Sequence, residues 1–503
     1  MKKLKTYKLV TILAVLLTIP VLISCEKNFG DINVNPNAPT VTNPDFIFTE
    51  ALINGAQMDA NRDFGIWAGL TASDEGLERK DNYFLPSELA INTWRDCYSI
   101  VANLNEIVKI VEDDPYYVNK LAVTRIWRAY VFGRLTDLYG DIPYSQAAMG
   151  NTDQFLIAPV YDTQRSIYLG LLDELKDAIS TINVSTTALG NYKAADIVYG
   201  GDLTKWVKFG NSLRLRMALR ISNVEPDLAK GIVTEIMTQS QIMAVNGDGF
   251  HFKFNKDFKP ATYYFYSAGL ARILPSKFLV DMMLQTSDPR LPIYAQHPEK
   301  GTLLTSYRGM PSELTVDERI AADYNFKKAS HVGSYFLRED VVGFTLSYAE
   351  VCFMKAEAAF KGWGATPADA ETFYNQGVQA SMSFFKTFTL SSDLQKDPFA
   401  EITAAQINTY LSGPGKFEGT DEQKFEKIIT QRWITLYQEG GYEAYAMVRR
   451  THYPKLTKYD GSLWDLDNDF IQRMPYPIEE YSLNGVNASA ADTRQGKKVW
   501  WSK

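Results

Sequence analysis

Residues 346–385, LSYAEVCFMKAEAAFKGWGATPADAETFYNQGVQASMSFF, decide the fold class of this chain. The stretch predicts two helices, Leu346–Lys361 and Ala368–Phe385, because apolar residues recur at helical spacing on both sides of a Gly-containing turn. In the first helix, small residues such as Ala356 lie beside large ones such as Phe353. Small-beside-large spacing lets two helices approach closely, so the stretch predicts a packed helical hairpin.

Helical periodicity dominates the chain from Asp45 onward. The other predicted helices are Leu89–Val111, Val123–Leu138, Ser166–Ile182, Leu203–Ile221, Asp227–Met237, Asp421–Glu439 and Tyr442–Arg450. Several of them pair as hairpins, but the pairs keep no strict period of about 34 residues and form no clean repeat. The sequence therefore predicts an all-α fold of degenerate tetratricopeptide-like hairpins, decorated with long irregular loops, in one domain over residues 45–503.

Three stretches interrupt the helical pattern: residues 65–86, residues 242–335, and the chain from Tyr453 to its end. The second is rich in Gly, Pro, His, Asp and aromatic residues, as in YYFY at 263–266. A long irregular insertion in a helical protein usually carries function or forms a separate face. We therefore look for the functional residues in these stretches.

The first 24 residues predict a lipoprotein signal peptide. A basic start with four lysines precedes an apolar run at Leu9–Leu22, and Ser24-Cys25 follows it. The run is shorter than the ~20 residues that a membrane-crossing helix needs. Because a bacterial lipobox requires a small residue directly before a cysteine, we expect Cys25 to carry acyl chains, and residues 25–44 to form a polar tether. An ordinary cleaved signal peptide with a chance cysteine is the alternative.

The composition excludes some classes of partner and site. The formal net charge is −7, and Lys and Arg form no basic stripe, which argues against nucleic acid as a ligand. Besides Cys25, the chain contains only Cys97 and Cys352, both in helical patterns with apolar neighbours. We expect buried free thiols rather than a disulfide, and no Cys-rich zinc pattern is present. The sequence predicts neither a metal nor a cofactor.

No set of catalytic residues is recognisable. The four histidines lie far apart without His-Glu-x-x-His spacing, no Gly-x-Ser-x-Gly elbow occurs, and residues 413–416 lack the other residues of a phosphate-binding loop. A carboxylate pair for glycoside hydrolysis stays open, because the separation that matters is spatial. We predict that the protein is not an enzyme, with a glycoside hydrolase as one alternative.

Two charged patterns have structural interpretations. The DLDND stretch at 465–469 resembles the start of a calcium loop, but Phe470 stands where Gly is expected and Tyr476 where the closing Glu is expected. We interpret the stretch as an Asp-rich turn. Five arginines in helical patterns are expected to form structural ion pairs: Arg214, Arg216, Arg220, Arg449 and Arg450.

Aromatic residues on loops are the best candidates for ligand contacts. Sugar rings present C–H faces that stack on aromatic side chains, and hydroxyl groups that bond to Asn, Asp and Arg. Four tryptophans at core helical spacing are excluded by this criterion: Trp94, Trp127, Trp206 and Trp433. The remaining candidates are Trp67, Arg79, Asn82, Tyr83, Phe84, Tyr263, Tyr264 and Tyr266. For each of them, local packing inside a loop is the alternative.

Several short motifs occur here in the order found in a known family. An NPNAP tether at 35–39 follows the lipobox, and six further matches come after it: Leu138–Tyr144, Trp206–Arg220, Asp288–Pro292, Tyr348–Glu350, Gln438–Glu443 and Arg473–Pro477. In this order, the chain resembles the SusD/RagB family of nutrient-binding outer-membrane lipoproteins of the Bacteroidetes over essentially its whole mature length.

The resemblance implies both a fold and a function. Family members consist of four degenerate tetratricopeptide-like pairs with an irregular ligand-facing side. They cover a SusC-like TonB-dependent barrel as a lid and hand over oligosaccharides or, in some members, peptides, without acting as enzymes. Their ligand contacts lie in variable loops, so the resemblance assigns no binding residue here. A non-catalytic scaffold that binds other surface lipoproteins through its hairpins is the second alternative.

Overall fold

The computed structural model describes residues 43–59, 63–73, 87–149, 156–185, 190–239, 241–269, 273–299, 306–312, 314, 316–390, 394–395, 397–438, 440–456, 471–490 and 497–502. The helices are α1 (Pro44–Asp59), α2 (Asp63–Trp67), α3 (Ser87–Val111), α4 (Val118–Tyr139), α5 (Gln164–Thr181), α6 (Leu203–Arg220), α7 (Pro226–Gln239), α8 (Ala261–Ser267), α9 (Lys277–Gln285), α10 (Leu291–Tyr294), α11 (Val316–Ala321), α12 (Tyr348–Phe360), α13 (Asp369–Phe384), α14 (Ala404–Ser412), α15 (Asp421–Thr435), α16 (Gly441–Thr451), α17 (Ile478–Leu483) and α18 (Gly485–Ala490). The strands are β1 (Thr71–Ser73), β2 (Phe250–Lys253), β3 (Ile273–Pro275), β4 (Ala295–Gln296), β5 (His331–Val332) and β6 (Val342–Leu346).

The predicted hairpin at 346–385 is confirmed as α12 and α13, which pack against each other. The first helix begins at Tyr348 instead of Leu346, because the Ser347 hydroxyl accepts a hydrogen bond from the Glu350 amide at 3.1 Å and caps the helix. Leu346 ends strand β6 instead. A Cβ atom at Gly377 would lie 2.7 Å from the Phe353 ring, so the glycine permits the close approach of the two helices.

The helices form one continuous packed series. Helix α1 packs on α3, and each of α3, α4, α5 and α6 packs on the next helix in sequence. Helix α15 then packs on α12, and α16 packs on α2. Every predicted helix is present, with ends that differ by a few residues. The prediction that the helix at 421 continues to 439 is wrong, since α15 ends at Thr435 and a turn follows.

The described residues between 242 and 335 form short elements, α8 to α11, β2 to β5 and single 3-10 turns. The strands form three antiparallel pairs, β1 with β3, β2 with β6 and β4 with β5. In the first pair, Ser73 lies opposite Ile273. The carboxyl end of β1 therefore lies beside the amino end of β3.

The core is rich in large aromatic side chains. Trp127, Trp206 and Trp433 are fully buried, and Trp94 is buried beside Tyr139, as the sequence predicts. Trp127 stacks on Phe250 with ring centroids 4.9 Å apart, which ties strand β2 to helix α4. Cys97 and Cys352 are both buried thiols, as the sequence predicts.

A buried ionic network crosses the centre of the helical layer. Arg216 of α6 binds Glu350 of α12 through two hydrogen bonds of 3.0 and 2.6 Å. Arg432 of α15 joins the carboxylates of Glu350 and Glu443, at 2.8 and 2.6 Å. Arg220 donates a hydrogen bond to Glu443. Burial of this many charges is tolerated because each carboxylate faces more than one guanidinium group.

The same network continues to helix α4 through Asp137. The Asp137 carboxylate accepts hydrogen bonds from Tyr442 and Trp501 at 2.7 Å each, and from Tyr168. Arg220 lies 3.5 Å from the same carboxylate. The network, defined here as Asp137, Arg216, Arg220, Glu350, Arg432 and Glu443, thus confirms that Arg216 and Arg220 form structural ion pairs. Arg450 does so separately with Glu357 at 2.6 Å.

None of the helices that the structure describes combines the length and the apolar character that a bilayer-crossing segment requires.

Candidate ligand-binding cleft

An open cleft of about 650 Å³ lies between α1, α2, α3 and α8, above a buried arginine of α4. Its volume falls in the range of about 300–1,000 Å³ that is typical of small-ligand sites. The residues that line it are mostly polar: Asn54, Gln57, Met58, Asp63, Glu88, Leu89, Asn92, Thr93, Asp96, Ser99, Arg134, Ala261 and Phe265. We call this feature the cleft.

Helix α3 supplies the longest wall of the cleft. Glu88, Asn92, Asp96 and Ser99 recur three or four residues apart, so they share one face of the helix. The opposite side of α3 carries Trp94, which is buried against the core. The same amphipathic pattern that packs the helix therefore presents a row of hydrogen-bonding groups to the cleft.

The charges of the cleft are mainly negative. Partial burial between the walls raises the pKa of Asp96, and the neighbouring Arg95 opposes this shift. Arg134 lies at the base of the cleft, where it donates a hydrogen bond to the Met58 carbonyl and its guanidinium lies 4.7 Å from the Tyr442 ring centroid. This arginine is held by the protein itself, so we assign the polar contacts with a ligand to the amides and carboxylates of the walls.

Helix α8 forms the aromatic rim of the cleft. Phe265 lines the cleft. The Tyr264 ring packs edge-on against the Phe265 ring, with centroids 5.6 Å apart. Tyr264 is 59% exposed. The sequence criterion expected Tyr264 on a loop, whereas it lies on helix α8, and its role in ligand contact stays a prediction.

The structure places the other predicted residues of α8 differently. Tyr263 contacts the Lys259–Glu339 ion pair, and its hydrogen bond to Glu339, together with some burial, raises its pKa. Tyr266 is half-buried, and its hydroxyl donates to the Ile273 carbonyl at 2.7 Å. Tyr266 therefore anchors α8 to strand β3, and we interpret it as a packing residue.

The prediction that Trp67 is displayed on a loop is wrong. Trp67 lies in helix α2 and is only 3% exposed. Its ring packs edge-on against Phe64 and Tyr445, at 5.5 and 5.3 Å between centroids. A surface ligand does not reach this side chain, because neighbouring aromatic rings cover it.

Four further candidates, Arg79, Asn82, Tyr83 and Phe84, lie outside the described residues, as do Cys25 and the DLDND stretch at 465–469. Two attachment points of the segment 74–86 are described. The segment follows Ser73, beside Ile273, and precedes Ser87 at the start of α3, whose first turn lines the cleft. The predictions for these residues stay predictions.

Sequence reasoning missed the wall residues of the cleft, such as Asn54, Gln57, Asn92 and Asp96. The criterion admitted only loop residues, whereas these side chains lie on helices. Their spacing was a signal, since Asn92 and Asp96 fall on the polar face of a strongly amphipathic helix. Nothing in the spacing distinguishes a ligand-facing polar face from a solvated one.

The described residues of the cleft are suited to hydrogen bonding. Amide and hydroxyl groups both donate and accept hydrogen bonds, and carboxylates accept them, which suits a ligand with many hydroxyl groups. Within the described part of the chain, no cluster of His, Cys, Asp and Glu residues is arranged to hold a metal ion.

Solved structures with the same architecture cover almost the whole chain. A chitin-binding protein is 27% identical, with a TM-score of 0.76, and the match covers 92% of this chain and 100% of the other. A chitin-binding SusD homologue from Flavobacterium johnsoniae is 24% identical, with a TM-score of 0.73 over 91% and 98% of the two chains. A SusD homologue from Bacteroides fragilis is 24% identical, with a TM-score of 0.75 over 92% and 100%. At 24% identity, the similarity to these two SusD homologues establishes the fold alone.

No curated protein sequence matches the chain at a significant level. A family model does: the SusD-like model, described as "Starch-binding associating with outer membrane", matches residues 36–477. The match spans most of the chain and includes the helices that form the cleft and the ionic network. The chain belongs to this SusD-like family, and its hairpins have the tetratricopeptide-like fold of the family.

Proposed function

We propose that the protein is a surface lipoprotein that binds an oligosaccharide in the cleft and delivers it to a SusC-like TonB-dependent transporter of the outer membrane. The observation that carries the proposal is the cleft itself, a polar trough lined by Phe265, whose neighbour Tyr264 is exposed. Membership of a family described as starch-binding and associated with the outer membrane supports the ligand class and the location.

Fragments of chitin are the first ligands to test. The 27% identical structural relative is a chitin-binding protein. The amide groups of Asn54, Gln57 and Asn92 are able to pair with the acetamido and hydroxyl groups of such a ligand, each donating and accepting. Stacking of a sugar ring on Tyr264 would supply the apolar part of the contact.

Binding and release without chemistry fit the residues of the cleft. Its carboxylates, Asp63, Glu88 and Asp96, accept hydrogen bonds from hydroxyl groups, and no His or Cys side chain accompanies them among the described lining residues. The lipid on Cys25 would keep the protein at the membrane surface, where the transporter receives the ligand. Because the lid must open and close, its contact with the barrel is expected to be breakable.

Titration calorimetry of the mature chain tests the ligand class. Chitin, starch and peptide oligomers of equal length are titrated in parallel, and the chitin oligomer is expected to bind most tightly. Replacing the exposed ring, Tyr264→Ala, is expected to weaken binding about tenfold, equivalent to about 1.4 kcal/mol. Tyr116→Ala, at a second exposed tyrosine, is the matched control and is expected to leave binding unchanged.

Three outcomes would contradict parts of the proposal. If no oligosaccharide binds while peptides do, the ligand class is wrong. If an oligosaccharide binds but Tyr264→Ala and Asn92→Ala have no effect, the site is wrong. If chromatography after incubation shows shortened oligomers, and Asp96→Asn abolishes the cleavage, the protein is a glycoside hydrolase.

A further inference from the structure

A second groove, of about 480 Å³, lies between α5, α6 and α7. Helix α6 contributes Val207, Lys208, Asn211 and Arg214 to the groove. Val207 and Lys208 are adjacent, and the other spacings are three or four residues, so these side chains share one face of the helix. The end of α5 contributes Lys176 and aliphatic residues. Because the groove involves none of the helices that line the cleft, it is a separate site.

Arg214 is a buried cation with little compensation. It is 3% exposed and lines the groove. Among the described residues, its guanidinium makes one hydrogen bond, a long one of 3.4 Å from Nη1 to Glu235, and its buried Nε has no partner. Arg216, two positions further along α6, binds Glu350 at 2.6 Å. A buried guanidinium without a close acceptor costs free energy, which an incoming carboxylate would offset.

The charge of the groove favours an anionic ligand. Lys176, Lys208 and Arg214 line it, whereas Glu235 is the one carboxylate among its described lining residues. Glu235 already forms an ion pair with Lys176 at 3.0 Å. Lys208 forms one at 3.0 Å with Asp248, which does not line the groove. The described lining thus contains three cations and one carboxylate, and Arg214 is the cation with the longest ion pair.

The apolar part of the groove is aliphatic. Ile179, Ile182, Val184 and Val207 line it, and Val184 is 49% exposed. No aromatic ring occurs among the described residues of this lining. Sugar rings stack favourably on aromatic side chains, whereas branched peptide side chains pack well on aliphatic residues.

We propose that this groove binds an extended acidic peptide segment of a partner protein. An aliphatic side chain of the segment packs on Ile179 and Val207, and a neighbouring carboxylate pairs with Arg214 and Lys176. The groove gives the helical layer an interaction of its own, which does not depend on the ligand of the cleft.

Fluorescence anisotropy on the full mature chain tests the proposal. The probe is the labelled peptide Glu-Leu-Glu-Val-Asp, and the comparison peptide is its neutral analogue Gln-Leu-Gln-Val-Asn-amide. The acidic peptide is expected to bind at least tenfold more tightly, with an affinity that falls as salt screens the charges. Trigalacturonate, added as a competitor, separates an acidic peptide from an acidic saccharide.

Two variants locate the binding. Lys176→Gln removes one partner of an exposed ion pair and is expected to weaken binding of the acidic peptide about fivefold. Arg214→Gln is expected to weaken it at least tenfold. Lys386→Gln is the matched control, because Lys386 is also exposed and pairs with Glu401 at 3.1 Å. If Arg214→Gln does not fold, Arg214→Lys and Lys176→Gln still decide the result.

Each remaining outcome would overturn the proposal. Equal binding of the neutral peptide removes the role of charge, and unchanged binding in both groove variants removes the site. Displacement of the peptide by trigalacturonate, or no binding of the acidic peptide at all, removes the peptide assignment. Tyr264→Ala is expected to leave peptide binding intact, so failure here and failure of the oligosaccharide proposal are distinguishable.

Discussion

The carboxylate of Glu443 faces three guanidinium groups, those of Arg216, Arg220 and Arg432. Replacing it, Glu443→Gln, leaves these buried cations undercompensated. We expect the free energy of unfolding to fall by about 3–5 kcal/mol, the usual cost of removing one partner from a buried ion pair. Urea denaturation followed by circular dichroism measures this value. Glu401→Gln, at an exposed ion pair with Lys386, is the control and is expected to leave stability nearly unchanged.

The same residue makes stability depend on pH. Burial alone would raise the pKa of Glu443, but Arg220, Arg216 and Arg432 outweigh it and lower the pKa from 4.5 to about 2. A carboxyl group with a lower pKa in the folded state contributes stability that is complete above its unfolded pKa and is lost as pH falls through its folded pKa. We expect the free energy of unfolding of the wild type to decrease between pH 4.5 and pH 2. Glu443→Gln is expected to show a flatter curve, and parallel curves would contradict the assignment.

At single residues, the sequence separates core from surface only in part. Trp127 and Trp433 were predicted to be buried because they repeat at helical spacing, and they are. Trp67 was misjudged because helix α2 is only five residues long, too short to show periodicity. Tyr264 and Tyr266 lie on one short helix, and only the structure shows that Tyr266 faces strand β3 while Tyr264 faces solvent.

Between elements, two glycines inside helices predict opposite effects of the same substitution. A Cβ at Gly377 of α13 would lie 2.7 Å from the buried Phe353 ring, so Gly377→Ala is expected to destabilise the protein by about 1–3 kcal/mol. A Cβ at Gly231 of α7 meets nothing within 4 Å, so Gly231→Ala is expected to stabilise it by about 0.4–1 kcal/mol. Thermal and urea unfolding of both variants measure the difference. Stabilisation by both would mean that α12 and α13 are not closely packed.

The helices themselves were predictable because local signals mark their ends. Gly140 follows α4 with a positive φ of 81°, which few other residues adopt, and Ser347 caps α12. Helix α15 was overestimated because apolar Leu436 and Tyr437 continue the pattern through a turn. Gln438 has a φ of 71° in that turn, a conformation that the residue type does not announce.

At the scale of the molecule, the lipid on Cys25 remains a prediction. Metabolic labelling with palmitate is expected to mark the wild-type protein and to place it in the outer-membrane fraction. Cys25→Ala is expected to lose both the label and the membrane association. Cys352→Ala is the control, because this thiol is buried and far along the chain, and it is expected to keep both. A labelled Cys25→Ala variant would refute the assignment.

The cleft shows why the site was harder to predict than the fold. Each helix depends on signals within about twenty residues of sequence, whereas the cleft joins α1, α3 and α8 from separate parts of the chain. Sequence reasoning pointed to the right segment through Tyr263, Tyr264 and Tyr266, but not to Phe265, the residue of that segment that lines the cleft. It could not find the walls, because their role depends on which helices become neighbours.

The ionic network also limits how this architecture can change by recombination. In a regular repeat array, each hairpin contacts only its neighbours, so hairpins can be shuffled or duplicated. Here α4, α6, α12, α15 and α16 each contribute to a single set of mutually neutralising charges. A chimera that imports one hairpin without the matching charges from the others is left with an uncompensated ion at its centre. Diversity among such proteins is therefore easier to acquire in the loops than by exchanging helical units.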